Sequence, residues 1–155
     1  MMEHKIYVHD GHNKFDKKLF NPIFCREHFN KPLGGLWASP VSSHYNWEQW
    51  CEDNNFNHTI GKDKYCQNKK FYFKLKDGAR LLSIKSAKQL DDLPQIKDDM
   101  TSSVFKILDF MKLQEDYDAI EVLISNDNQL YWDLYGWDID SIVVMNPDVI
   151  EVIQK

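Results

Sequence analysis

Apolar and polar positions along the chain alternate in short runs. Lys5-Ile6-Tyr7-Val8-His9 is rich in strand formers and halts at Asp10-Gly11, a turn-forming dipeptide. From Asn13 to Lys31 no period dominates. Asn21-Pro22 and Lys31-Pro32 there both favour loop, because a proline ring crowds the residue before it out of helical geometry. Gly35-Leu36-Trp37-Ala38-Ser39 reads as a short strand framed by Gly34 and Pro40. Ser42 or Ser43 is placed to cap a helix carrying Tyr45, Trp47, Trp50 and Cys51, with Trp47 and Trp50 three residues apart on one face. Asn54 to Asn68 is polar and aperiodic, which predicts a loop.

In the second half, Phe71 to Lys76 and Arg80 to Ile84 read as strands, and the intervening Asp77-Gly78 predicts a hairpin. Ser86 caps a short helix that runs through Leu93 and stops at Pro94. Val104, Ile107, Leu108, Met111 and Leu113 have helical spacing, which predicts an amphipathic helix from about Thr101 to Glu115. Ala119 to Ile124, Leu130 to Trp132 and Ser141 to Met145 read as strands, and Val149 to Ile153 as another, set off by Asn146-Pro147. Strands and helices do not alternate as βαβ units, so the class is α+β. With no internal repeat, low-complexity tract or linker, residues 1–155 are expected to form one domain.

Composition sharpens this picture in one respect. Hydrophobic residues at 43% and charged residues at 28% are ordinary for a globular chain. Five Trp, seven Tyr and nine Phe are not ordinary; rings in that number fill a core or line pockets that stack flat ligands. A net charge of −5 argues against a non-specific electrostatic grip on nucleic acid. No stretch approaches the roughly 20 apolar residues that span a bilayer, and Met1 to Gly11 lacks the pattern of a signal peptide. Cys25, Cys51 and Cys66 are odd in number and form no Cys-x-x-Cys pair, which fits reduced thiols in a cytoplasm.

Three constellations could carry chemistry. His9-Asp10-Gly11-His12 admits a metal site, a histidine satisfied by backbone, or an imidazole that bonds a ribose hydroxyl. In the segment Lys31 to Pro40, paired glycines allow close backbone approach and the strand presents Trp37 beside Ser39. A flat heteroaromatic ring fits between Trp37 and one of Tyr45, Trp47 or Trp50; the same aromatics could instead be a satellite core. Asp133, Asp138 and Asp140 gather before the Ser141 strand, among Trp132, Tyr135 and Trp137. A carboxylate there can bond a sugar hydroxyl and stabilise an oxocarbenium ion, or can simply be solvated in a turn. Dinucleotide fingerprints, Walker loops, zincin motifs and nucleophile elbows are absent.

Taken in order, these pieces resemble the ADP-ribosyltransferase superfamily, in particular its diphtheria-toxin-like and poly(ADP-ribose)-polymerase-like branch. His9 with Gly11 looks like the family's first motif. Gly35-Leu36-Trp37-Ala38-Ser39 looks like the second, with Trp37 where tyrosine is usual, and Trp47 stands ten residues beyond Trp37, near the spacing of the two nicotinamide-stacking rings. Tyr117-Asp118-Ala119-Ile120 resembles the lead-in to the last motif. Ser141 to Pro147, followed by Val149-Ile150, resembles the closing strand and its turn. Asp10 intervenes between His9 and Gly11, and aspartate (Asp138 or Asp140) stands where the family has glutamate.

The resemblance implies two small antiparallel sheets forming a cleft, flanked by about three helices, with NAD as substrate and an unknown macromolecular acceptor, protein or nucleic acid. It assigns Asp140 and His9 to catalysis. Contacts to NAD fall to His9, Gly35, Trp37, Ser39, Tyr45 and Trp47. Two rival readings are a small interaction protein with an aromatic-rich binding surface, and a hydrolase or nuclease using histidines and aspartates with a metal.

Overall fold

The structure, a computed structural model, describes residues 4–26, 29–54, 69–97 and 105–154. Among these, the first strands are β1 Tyr7–Asp10, β2 Leu36–Pro40, β3 Lys70–Leu75 and β4 Leu81–Ile84. They are followed by β5 Gln95–Ile96, β6 Ile107–Leu108, β7 Ala119–Val122, β8 Ser141–Val144 and β9 Ile150–Ile153. The α-helices are short: α1 Trp47–Asp53, α2 Phe110–Asp116 and α3 Asn128–Asp133. The class is α+β, as the pattern predicts. No helix among the described residues is long and apolar enough to cross a membrane.

Seven strands join in the order β4-β7-β8-β2-β1-β3-β9, while β5 and β6 form a separate ribbon. Only β4 and β7 run parallel; the other pairs are antiparallel. Two small sheets enclosing a cleft are therefore not what forms. The reason lies in β2, whose Leu36, Trp37 and Ala38 pair with β8 while its Ser39 and Pro40 pair with β1. By changing partners along its length, β2 welds the two halves into one ladder.

This sheet is strongly curled. Strands β3 and β4 stand five spacings apart in the order, roughly 24 Å in a flat sheet. Six residue steps connect Leu75 to Leu81, about 22 Å if fully extended, and part of that length is spent in a turn at Gly78 (φ +83°). Glu121 on β7 also accepts a hydrogen bond from the Tyr7 hydroxyl on β1 at 3.1 Å. Three spacings separate these strands, roughly 14 Å when flat. Curling puts Tyr7, Ala38, Phe71, Phe73, Ala119, Ile142, Val144 and Ile150 into one inner core. The alternate residues Ile120, Val122 and Val143 face outward into a second core with Leu90, Leu113, Leu130 and Trp137 from the covering segments. Lys5 Nζ (2.7 Å) and Ser83 Oγ (2.7 Å) complete the donors to the buried Glu121 carboxylate.

Several local expectations are overturned. The Asp77-Gly78 turn forms, but β3 and β4 do not pair: β1 and β9 occupy both edges of β3, and β4 joins β7. Ile107 and Leu108 belong to a strand instead of a helix, and α2 starts only after Asp109, whose carboxylate accepts from Lys112 N at 3.2 Å. Residues 101–104 of that predicted helix lie outside the described residues, as do Cys66 and 55–68 of the predicted loop. Leu130 to Trp132 is helical, capped by Asp127, which accepts from Gln129 N at 3.0 Å. Asn46 caps α1 in place of Ser42 or Ser43. Ser86 does precede a helical segment, a 3-10 helix over Ala87–Asp92 whose Gln89 Oε1 accepts from Ser86 N at 3.1 Å.

Candidate functional site

Strands β1 and β2 pair at Tyr7↔Pro40 and Val8↔Ser39 and then part. Beyond that point His9 and Asp10 continue along β3, and Ala38 and Trp37 continue along β8. A pocket of about 250 Å³ opens beside the divergence, lined by Val8 to Asp10 and Trp37 to Ser39. Lys31, Trp47, Asp138, Ile139 and Ser141 complete its wall.

His9 bridges the parted strands. A carbonyl can only accept, so the 2.7 Å contact fixes a proton on His9 Nδ1, donated to the Trp37 carbonyl. In the neutral ring Nε2 then accepts from His12 Nδ1–H at 2.9 Å. Burial holds the His9 pKa below the ordinary histidine range; the Trp37 carbonyl opposes this shift and His12 adds to it.

Trp37 serves two environments. Its ring lies 4.9 Å from the fully buried Trp137, its Nε1–H donates to the Gly34 carbonyl at 3.1 Å, and it still reaches the pocket. Ser39 is buried at 2% exposure and lines the pocket, and its hydroxyl has no hydrogen bond to protein among the described residues. Burying a hydroxyl without a partner costs on the order of 1–3 kcal/mol, which a ligand polar atom would offset. Trp47, the first residue of α1, stacks on Trp50 with centroids 5.2 Å apart and 9° between planes.

Four of the seven residues nominated from sequence (His9, Trp37, Ser39 and Trp47) thus share one wall. The other three are elsewhere. Gly35 adopts φ +70°, and a Cβ there would lie 2.6 Å from Val143 Cγ2, so its glycine serves packing of β2 on β8. Tyr45 is exposed, and its carbonyl accepts from Asp140 N at 3.0 Å. Asp140 is buried and accepts from Ser43 Oγ (2.7 Å), Ser125 Oγ (2.6 Å) and Ser125 N (3.0 Å), tying two loops together. The aspartate that lines the pocket is Asp138.

Sequence reasoning missed Lys31 as a site residue. Its only signal was proximity to the glycine pair. Burial pushes its ammonium below the ordinary lysine range, Asp138 opposes the shift and Arg26 reinforces it. Aromatics continue outside the pocket: Trp132 and Tyr135 are exposed and parallel, 6.1 Å apart with 2° between planes. Burial raises the Tyr131 phenol pKa, and the charges of Asp138, Tyr135 and Tyr45 add to the shift. No group of three or more histidine, cysteine or acidic side chains converges as a metal site among the described residues. Comparison with known proteins finds no match: no protein-family model, no curated protein and no solved structure.

Proposed function

We propose that the pocket at the β1/β2 divergence binds the nicotinamide-ribose end of NAD, and that the protein transfers ADP-ribose to a macromolecular acceptor. The observation that carries this is the convergence of His9, Trp37, Ser39 and Trp47, nominated from three separate stretches of sequence, on one pocket. Trp37 and Trp47 supply indole surface for a flat ring, and Ser39 a buried hydroxyl in want of a partner. His9 Nε2 is the imidazole atom left for a ribose hydroxyl, which would take the place of His12. At about 250 Å³ the pocket is smaller than the roughly 300–1,000 Å³ of drug-sized sites, so it suits one end of a dinucleotide.

In the transfer the glycosidic C–N bond breaks, its electron pair leaves with nicotinamide, and the acceptor's nucleophile bonds the ribosyl carbon as its proton passes to solvent. Asp138 is the pocket carboxylate positioned to stabilise the cationic sugar, in place of Asp140. The test is nicotinamide release by the purified chain. Asp138→Asn is expected to lower turnover by about 100- to 1,000-fold with little change in NAD affinity, as for an interaction made only in the transition state. Asp140→Asn is expected to lower the melting midpoint, because one amide oxygen cannot accept what two carboxylate oxygens do. Equal turnover in wild type and Asp138→Asn would sink the carboxylate assignment.

A second reading, a non-catalytic binding module, is favoured by the exposed pair Trp132 and Tyr135. Ring pairs of this kind act as hot spots at interfaces. Under it the melting midpoint is unmoved by NAD, ADP-ribose or nicotinamide.

A further inference from the structure

We infer that Lys31, backed by Arg26, is an anion-recognition site of this pocket, and that the group it takes is the phosphate of a nucleotide. Only the identity of that nucleotide rests on the NAD reading; the anion site stands on its own geometry.

Lys31 lines the pocket with its ammonium 5.9 Å from the centroid of the Trp37 ring, near the outer limit of a cation–π contact. Arg26 is held close by, its Nε–H donating to the Lys31 carbonyl at 3.4 Å and its guanidinium 4.5 Å over the Phe29 ring. Neither cation forms an ion pair with a carboxylate among the described residues. Asp138 acts on Lys31 at longer range, without such a pair. Two cations within electrostatic reach of one another, one of them half-buried, repel unless an anion joins them; the depression of the Lys31 pKa by burial and by Arg26 reports that cost. Phosphate suits Lys31 because its oxygens accept from an ammonium, and Arg26, which does not itself line the pocket, adds positive charge at longer range. A nucleotide suits the rest of the wall, where Trp37 and Trp47 offer ring surface and Ser39 and His9 offer polar contacts for a sugar. The pocket is too small for a dinucleotide, so the chain of the ligand leaves it at the phosphate.

The experiment is calorimetric titration of the full chain, at two salt concentrations, with inorganic diphosphate, ADP-ribose, nicotinamide mononucleotide and nicotinamide. Wild type is expected to bind the three phosphorylated probes with affinity that falls as salt rises. Lys31→Met should weaken ADP-ribose binding by roughly 10- to 100-fold, the range of a charged hydrogen bond, and leave nicotinamide affinity unchanged. Lys31→Arg should restore most of the loss, and Lys31→Gln serves if the methionine variant does not fold. ADP-ribose binding that is unchanged in both neutral variants, or absent in wild type, overturns the inference. If nicotinamide does not bind but diphosphate and ADP-ribose bind through Lys31, the anion site stands and the NAD reading falls. If nicotinamide mononucleotide binds and is lost in Trp47→Ala while the Lys31 variants change nothing, the NAD reading stands and the anion site falls.

Discussion

A single imidazole, that of His9, spans the gap where two strands separate, and its environment makes a pH dependence calculable in sign. Its folded pKa is below the ordinary value, so the unfolded chain takes up the proton more readily. The stability it contributes is therefore whole above pH about 6.5 and is lost as pH falls below it. Melting midpoints of wild type and His9→Asn, followed from about pH 7.5 to 5, should converge on acidification. A difference that widens would contradict the assignment. Trp37 and Trp47 differ in the same concrete way. Trp37 packs against Trp137 and the outer core, so Trp37→Ala is expected to cost about 2–3 kcal/mol of stability besides any loss of ligand. Trp47 is 37% exposed, and Trp47→Ala should cost the fold about 1 kcal/mol or less while weakening nicotinamide mononucleotide by roughly 5- to 30-fold. Denaturant titration and calorimetry on both variants separate these effects. Of the site, the residues on β1 and β2 were legible because chemistry and position coincide there. That Asp138 lines the pocket while Asp140 does not was not legible, since the two are two positions apart and only the folded loops show which one Ser43 and Ser125 engage.

At the scale of elements, strands with alternating burial were readable and those with tertiary partners of unexpected origin were not. Phe71 and Phe73 face the inner core while Tyr72 and Lys74 do not, a period of two that predicts β3 directly. The Asp77-Gly78 signal was also correct about the turn; which strands pair, however, depends on long-range competition for edges. Leu130 to Trp132 fits strand or helix equally by periodicity, and the Asp127 cap decides for helix. The same physics splits the predicted helix at Asp109. Removing that cap by Asp109→Ala should cost about 1 kcal/mol and be visible as a lower urea midpoint with an unchanged slope. A change below a few tenths of a kcal/mol would mean that burial of Phe110 and Leu113 alone defines α2.

For the whole molecule, closure of the curled sheet converges on Asp118. Its carboxylate accepts from Arg80 N (2.8 Å), Arg80 Nη2 (3.1 Å) and Asn146 Nδ2 (3.1 Å), and its carbonyl accepts from Met145 N at 2.8 Å. The connections β3–β4 and β8–β9 are thereby fastened at one point, beside a Lys76 N to Val149 carbonyl bond of 2.8 Å. Hydrogen bonds from the Arg80 guanidinium hold the Asp118 carboxyl down at about 2. A depressed acid contributes stability that is present above its unfolded pKa near 4 and lost as pH falls toward 2. Discounted for the exposure of Arg80, Asp118→Asn should cost about 1–2 kcal/mol at neutral pH and progressively less as pH falls from about 4 through 2, measured by calorimetric melting. Elsewhere in the sheet, the seam between β1 and β2 is only two residue pairs long. So short a seam leaves few ladder bonds to resist torsion there, and the 2.7 Å bond from His9 Nδ1 to the Trp37 carbonyl is the tie that is expected to limit how far the two strands spread. If a ligand binds between them, amide exchange in β1 and in β8 is expected to slow in step, although these two strands do not pair with one another.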